Sequence, residues 1–214
     1  MDLIERVRVH WALGDESRLA IVDLLAASDL AVSELGEALD MPGNLLAHHL
    51  NVLESAAVIE RRTSEGDGRR RYVTLHGPRL QGLLVGPAPP DSVVFVCSHN
   101  SARSQYAAAY WTMRTGQAAE SAGSDPAPTV NATAVRVASE RGLDLGDATP
   151  RGYDSLSRQP DLLVSVCDRA READLPDAAR HAHWSIPDPV AVGRVSAFRS
   201  AFVEIERRVD ALAS

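Results

Sequence analysis

Two domains of different class are predicted from the sequence. The first is an α+β domain of short helices closed by a basic hairpin, and the second is a three-layer α/β domain with a mostly parallel sheet. Three observations carry this. Up to Leu75, segments of helical apolar periodicity lead into paired strand-like runs; beyond Asp91 the chain opens on a valine-rich run and closes on a long amphipathic segment. Between them, Val85-Gly86-Pro87-Ala88-Pro89-Pro90-Asp91 puts three prolines in four residues, which cannot continue a helix and favour a stiff connector. The expected division is residues 1–84, a linker over 85–91, and residues 92–214.

In the first domain, Leu3, Ile4, Val7 and Trp11 recur at helical spacing, and Leu19, Ile21, Val22, Leu24 and Leu25 form a second apolar helix after Asp15. Ser33 is an expected N-cap for a short helix through Leu39, with Glu34 and Glu37 early in it. Met41-Pro42-Gly43 reads as a turn, and Asn44 to Ser55 as a third amphipathic helix. In that helix Leu45, Leu46, Leu50 and Leu53 are the expected buried set, leaving Asn44, His48, His49 and Asn51 for phosphates or base edges. Val58–Thr63 and Arg70–Leu75 then read as strands flanking Ser64–Arg69, a hairpin with Gly66 and Gly68 at its tip. Two helices across a tight turn followed by such a hairpin is the order of a winged helix-turn-helix. The hairpin carries Arg61, Arg62, Arg69, Arg70 and Arg71 against Glu65 and Asp67, a patch suited to the DNA backbone or minor groove.

The second domain opens on Asp91–Val96, expected as a buried parallel strand, and Ala102–Met113 follows as a helix. Cys97 therefore sits where a strand ends and a loop begins to open a helix. Backbone N–H groups in such a loop converge, and the helix dipole adds positive potential; both favour a thiolate and an oxyanion beside it. Six residues on, Arg103 supplies a planar fork for two oxygens of a tetrahedral anion, and Ser104 a hydroxyl for the sulfur. The spacing makes sense if Ser98, His99, Asn100, Ser101, Ala102 and Arg103 wrap one phosphate-sized anion above Cys97. Val195, Phe198, Phe202, Ile205 and Val209 make Val192 to Leu212 a helix covering the sheet.

Composition bounds the rest. The chain has 214 residues, 45% hydrophobic and 24% charged, with a formal charge of −7; all 22 of its cations are arginine, so local clustering decides what it can bind. No apolar run approaches the roughly 20 residues that span a bilayer, and the first residues lack the order of a signal peptide, so a cytoplasmic protein without a membrane partner is expected. Two cysteines in a reducing compartment leave metal binding, thiol chemistry or plain burial. His181 and His183 lack the surrounding ligands of a metal pair, and no metal is expected.

Two resemblances sharpen these expectations. Ala12–Ile21 and Asn44–Leu53 resemble the ArsR-type family of metal-responsive winged-helix repressors over about residues 3 to 76. The resemblance implies that Asn44–Leu53 lies on a recognition helix reading double-stranded operator DNA and that the first helix helps form a homodimer. Where arsenic-sensing members carry Cys-Val-Cys, this chain reads Ala31-Val32-Ser33, which supplies no thiolate for a soft ion. The loop from Cys97, with Arg103-Ser104-Gln105, resembles the low-molecular-weight tyrosine phosphatase superfamily, and its arsenate reductase branch in particular. The likeness continues through Ser121-Ala122-Gly123, Val164–Asp168 and His183–Pro189. It implies Cys97 as nucleophile, Arg103 as oxyanion clamp, Asn100 as a loop-shaping residue, Asp188 as general acid, an arsenate- or phosphate-like oxyanion as ligand, and no tightly bound cofactor.

Thioredoxin-coupled members of that branch use two further cysteines about seven residues apart. Cys167 matches the first, but Asp174 stands at the second. Three fates of Cys167 stay open: direct closure onto Cys97, resolution of the adduct by an external thiol (mycothiol or glutathione with a redoxin), or simple burial. The leading expectation is a regulator fused to a thiol-dependent arsenate reductase, served by thioredoxin or such a small thiol. The rivals are an oxyanion sensor without turnover and a phosphatase.

Overall fold

A computed structural model describes residues 2–76, 80, 89–157 and 159–213. The chain divides into two compact units. Most of the expected linker, residues 85–88, lies outside the described residues.

The first unit runs α1 (Leu3–Leu13), α2 (Glu16–Ala27), β1 (Leu30–Ala31), α3 (Val32–Ala38), α4 (Gly43–Ser55), β2 (Ile59–Thr63) and β3 (Arg71–Leu75). Asp15 caps α2 by accepting the Arg18 N–H at 3.0 Å. β2 and β3 pair antiparallel from Ile59↔Leu75 to Thr63↔Arg71, and β1 adds to β3 as a two-residue strand that the sequence did not announce. The α3 expectation is corrected: Ser33 lies inside the helix, whose N-cap is Ala31, and the Glu34 carboxylate accepts the Ala31 N–H at 2.7 Å.

α4 carries a second correction. Its buried stripe is Leu46, His49, Leu50 and Leu53, the i, i+3, i+4, i+7 set of one helical face. Leu45 falls off that face and is 44% exposed. His49 falls on it, 7% exposed, with Nδ1 3.6 Å from Asp15 Oδ1, and so is withdrawn from the DNA-reading set. Asn44, His48 and Asn51 stay exposed.

The second unit runs β4 (Val93–Cys97), α5 (Arg103–Thr115), β5 (Glu120–Gly123), α6 (Ala132–Ser139), β6 (Leu162–Ser165), α7 (Asp168–Arg171), β7 (Arg180–His183), α8 (Pro189–Val192) and α9 (Val195–Leu212). Its sheet has the order β5-β4-β6-β7 with every pairing parallel. All five β4 residues are buried, as a strand covered on both faces requires. Val93 and Phe95 join a core with α5, α6 and α9, while Val94 and Val96 pack on the opposite side with Leu163, Leu156 and Leu175. Tyr106 of α5 stacks on Phe202 of α9 at 3.7 Å between centroids. Each large apolar side chain fixed this way contributes on the order of 2 kcal/mol. What this core holds in place is the carboxyl end of β4.

Candidate active site

Cys97 ends β4, and α5 begins at Arg103; residues 98–102 loop between them. The direction of this loop is set from outside. The Cys97, Ser98, His99 and Ser101 carbonyls accept hydrogen bonds from the Ser124, Asp125, Ala127 and Asn131 N–H groups at 3.3, 2.9, 3.0 and 2.9 Å. In a trans peptide the next N–H points opposite to the carbonyl, so the amides of Ser98, His99, Asn100 and Ala102 turn inward. Gly123 makes the approach possible, since a Cβ there would lie 2.5 Å from the Ser98 carbonyl oxygen and 2.9 Å from Asn100 N. Asn100 takes a left-handed backbone with φ of 47°, a conformation asparagine tolerates better than most residues.

Donors converge on the buried Cys97 sulfur. The Asn100 N–H donates to Sγ at 3.2 Å, and the Ser104 Oγ lies 3.0 Å away. The Asn100 side-chain amide donates to both Ser104 Oγ and Ser121 Oγ at 2.9 Å. Arg103 is 6% exposed, with Nη1 donating to the Ile186 carbonyl at 2.6 Å and Nη2 3.3 Å from Asp188 Oδ1. Burial opposes the guanidinium's charge, but the negative charge that the Cys167 and Cys97 sulfurs carry as thiolates, with the Asp188 carboxylate, outweighs it and holds Arg103 above its ordinary value. Asp188 caps α8 through the Val190 N–H at 3.1 Å. Ser98 and Ser101 are buried in the loop; His99 is exposed, its Nδ1 2.9 Å from the Asp125 carbonyl.

Cys167 follows β6 and caps α7, its sulfur accepting from the Ala170 N–H at 3.4 Å and lying 3.5 Å from Ser98 Oγ. Burial pushes this thiol up, against the pull of the Arg103 charge. The next residue, Asp168, is buried with Oδ1 3.2 Å from His183 Nε2, while His183 Nδ1 sits 2.9 Å from Ser165 Oγ. Burial would raise the Asp168 carboxyl, yet the His183 contact and the Ser185 hydrogen bond hold it below the usual range. His183 is thus a packed internal partner. Among the described residues no group of three or more His, Cys, Asp or Glu could hold a metal.

Residues that the sequence left without a role include Ser121, Gln105 and Arg151. Gln105 Nε2 and the Arg151 N–H both reach Asn100 Oδ1 at 3.0 Å. Ser121 and Gln105 stand inside motifs already read for their neighbours; Arg151 has no signal nearby.

In the first unit, Arg69, Arg70 and Arg71 are exposed on the hairpin. Arg62 pairs with Glu60 at 3.0 Å. Arg61 turns back to α4, where it pairs with Glu54 and donates to Asn51 Oδ1 at 2.8 Å.

Residues 92–214 match the family model for low molecular weight phosphotyrosine protein phosphatase. The chain belongs to that family. A helix-turn-helix domain model matches residues 13–62 of the same chain. The phosphatase-family unit is similar to an arsenate reductase of Brevibacillus brevis, 36% identical over 103 residues, which are 46% of this chain and 76% of that protein. It is also similar to the crystal structure of an arsenate reductase from Archaeoglobus fulgidus, with 35% identity, a TM-score of 0.51, and coverage of 57% of this chain and 98% of that one. The helix-turn-helix unit is similar to an uncharacterized HTH-type transcriptional regulator of Bacillus subtilis, 34% identical over 83 residues, 38% of this chain and 80% of that protein. No helix among the described residues is long and apolar enough to cross a membrane.

Proposed function

We propose that the protein is a bifunctional arsenic-resistance protein, a DNA-binding regulator joined to a thiol-dependent arsenate reductase. The observation that carries the catalytic half is the convergence of the Asn100 N–H and Ser104 hydroxyl on the Cys97 sulfur, under a loop whose amides turn inward beside Arg103 and Asp188. Similarity to arsenate reductases at 36% and 35% identity supports arsenate as the oxyanion.

The Cys97 thiolate attacks arsenic, an S–As bond forms, and Asp188 protonates the departing oxygen, which leaves as water. Loop amides and Arg103 neutralise the oxygens that remain. A second thiolate then attacks the Cys97 sulfur, the S–As pair goes to arsenic, and arsenite departs. Arsenic has gained two electrons and two thiols have lost them as a disulfide. Cys167 is the second thiol in this scheme, supported by its contact with Ser98 of the loop. Asp174 supplies no third cysteine, so an external thiol reopens the disulfide.

The regulatory half reads double-stranded operator DNA through Asn44, His48 and Asn51 of α4 and the arginines Arg62, Arg69, Arg70 and Arg71. It acts as a homodimer through Leu3, Ile4, Val7 and Trp11, all exposed along α1. Operator binding and thiol chemistry both belong in a reducing cytoplasm.

The test incubates the full chain with arsenate under thioredoxin, mycothiol and glutathione systems, follows arsenite, and runs a gel shift on the same samples. Arsenite that disappears in Cys97→Ser and drops in Cys167→Ser is expected. Saturable arsenate binding without arsenite under every thiol would overturn the reductase in favour of a sensor. Family membership favours one second reading, hydrolysis of aryl phosphates; rapid hydrolysis lost in both Cys97→Ser and Asp188→Asn would establish it.

A further inference from the structure

We propose that Gln105 is a positioning residue that, through Asn100 and Ser104, sets the direction of the hydrogen bond at the Cys97 sulfur. The inference rests on Cys97 acting as a thiolate, as the proposed reduction requires, but not on arsenate being the substrate.

Two backbone groups fix the polarity of this chain of contacts. The buried Gln105 amide donates from Nε2 to the Thr149 carbonyl at 3.2 Å and to Asn100 Oδ1 at 3.0 Å. A carbonyl can only accept, so the NH2 end of Gln105 must face Thr149. The Arg151 N–H can only donate, and it too meets Asn100 Oδ1 at 3.0 Å. Asn100 therefore turns its oxygen toward Gln105 and Arg151 and its NH2 toward Ser104 and Ser121, each at 2.9 Å. Once Ser104 Oγ accepts from Asn100, its one proton is left for Cys97 Sγ, 3.0 Å away. Were the Asn100 amide reversed, Ser104 would donate to Asn100 and present lone pairs to the sulfur.

The source of this polarity is the segment 149–151, which is itself pinned. The Arg151 carbonyl accepts the Gly123 N–H at 2.9 Å, and Arg151 Nε donates to the Ser121 carbonyl at 3.0 Å. Gln105 is the side chain that joins Thr149 of this segment to Asn100. It does not reach the sulfur, so its effect is transmitted, and a change there should alter the chemistry of Cys97 without removing any group that touches it.

The experiment uses the full chain carrying Cys167→Ser, which leaves Cys97 as the single thiol of a two-cysteine protein. The rate of Cys97 alkylation by iodoacetamide is followed by mass against pH. Gln105→Glu turns an acceptor toward Thr149 and Asn100; Gln105→Met removes the donor without adding charge. The expected result is a profile displaced to higher pH by about one unit in Gln105→Glu, a tenfold loss of rate on its lower limb, and by about half a unit in Gln105→Met. The high-pH plateau should stay unchanged in both. Superimposable profiles for Gln105→Met and its parent overturn the proposal, as does a raised plateau with an unmoved midpoint, which is the mark of a loosened loop. If Gln105→Glu does not fold, Gln105→Met decides alone. A displaced profile, together with no arsenite under any thiol from the chain that keeps Cys167, would refute the arsenate reading and leave the role of Gln105 standing.

Discussion

Asp188 performs two tasks with one carboxylate: it caps α8 through the Val190 N–H and stands 3.3 Å from Arg103. Asn keeps the cap but cannot deliver a proton, so Asp188→Asn should fold normally and lower the first chemical step roughly 10²-fold or more, measured as single-turnover arsenite release. Asp168 tests a different property. Its carboxyl is held below the ordinary value, so the stability it lends is present above the unfolded carboxylate range and is lost as pH falls through the folded-state value. Removing one partner of this buried pair with Asp168→Asn should cost about 3 kcal/mol at neutral pH. It should also flatten the acid limb of the melting temperature below the reference value of 3.8. At this scale the sequence discloses residues whose chemistry is their own. Cys97 and Arg103 stand out as candidates because one of only two cysteines ends a valine-rich run just before a helix and a guanidinium follows six residues on. In a chain with 29 acidic residues, Asp188 stands out only through the resemblance of its flanking residues. Gln105 and Gly123 are not, because what they do depends on Thr149, Arg151 and Ser98 backbone atoms that only the fold brings near. His49 misleads for the opposite reason: a polar type occupies a buried helical position beside Asp15.

Among the elements, the junction of β4, its loop and β5 leaves little room for change at Gly123. Gly123→Ala places a Cβ 2.5 Å from the Ser98 carbonyl oxygen, against backbone that cannot step aside. The loop must shift, and arsenite formation should fall at least about 10²-fold, with a stability loss of about 1–3 kcal/mol by thermal melt. The hairpin of β2 and β3 makes a separate claim. Replacing Arg69 and Arg71 by Ala should weaken operator binding while arsenite formation continues. The slope of log affinity against log salt should become shallower by about 0.9 for each DNA phosphate that an arginine no longer neutralises. Strand β4 is readable beforehand because a strand buried on both faces needs an unbroken apolar run. β1 is not, since two residues carry no period, and its pairing with Val73 and Tyr72 is made over a long stretch of chain.

For the whole molecule, a formal charge of −7 is compatible with the proposed DNA reading because charge acts locally: Arg69, Arg70 and Arg71 stand together on one hairpin. Leu3, Ile4, Val7 and Trp11 are 72, 65, 59 and 67% exposed along α1, the stripe that the second copy of the proposed homodimer would cover. Trp11→Glu should yield a monomer by sedimentation and abolish the gel shift, with arsenite formation per chain unchanged. The two-part organisation was legible from punctuation and periodicity, whereas the order β5-β4-β6-β7 was not, because strand neighbours follow from crossovers that leave no local mark.

The outward anchoring of the Cys97, Ser98, His99 and Ser101 carbonyls leaves the mouth above the sulfur little freedom to change its bore. Arsenate and phosphate are near twins in charge and shape, so in the proposed reductase a rigid rim would admit both. Discrimination would then come after entry, from arsenic's readiness to take electrons from sulfur. In a phosphate-rich cell the proposed reductase would spend most of its time occupied by the wrong guest, and its throughput would rise and fall with the ratio of the two anions.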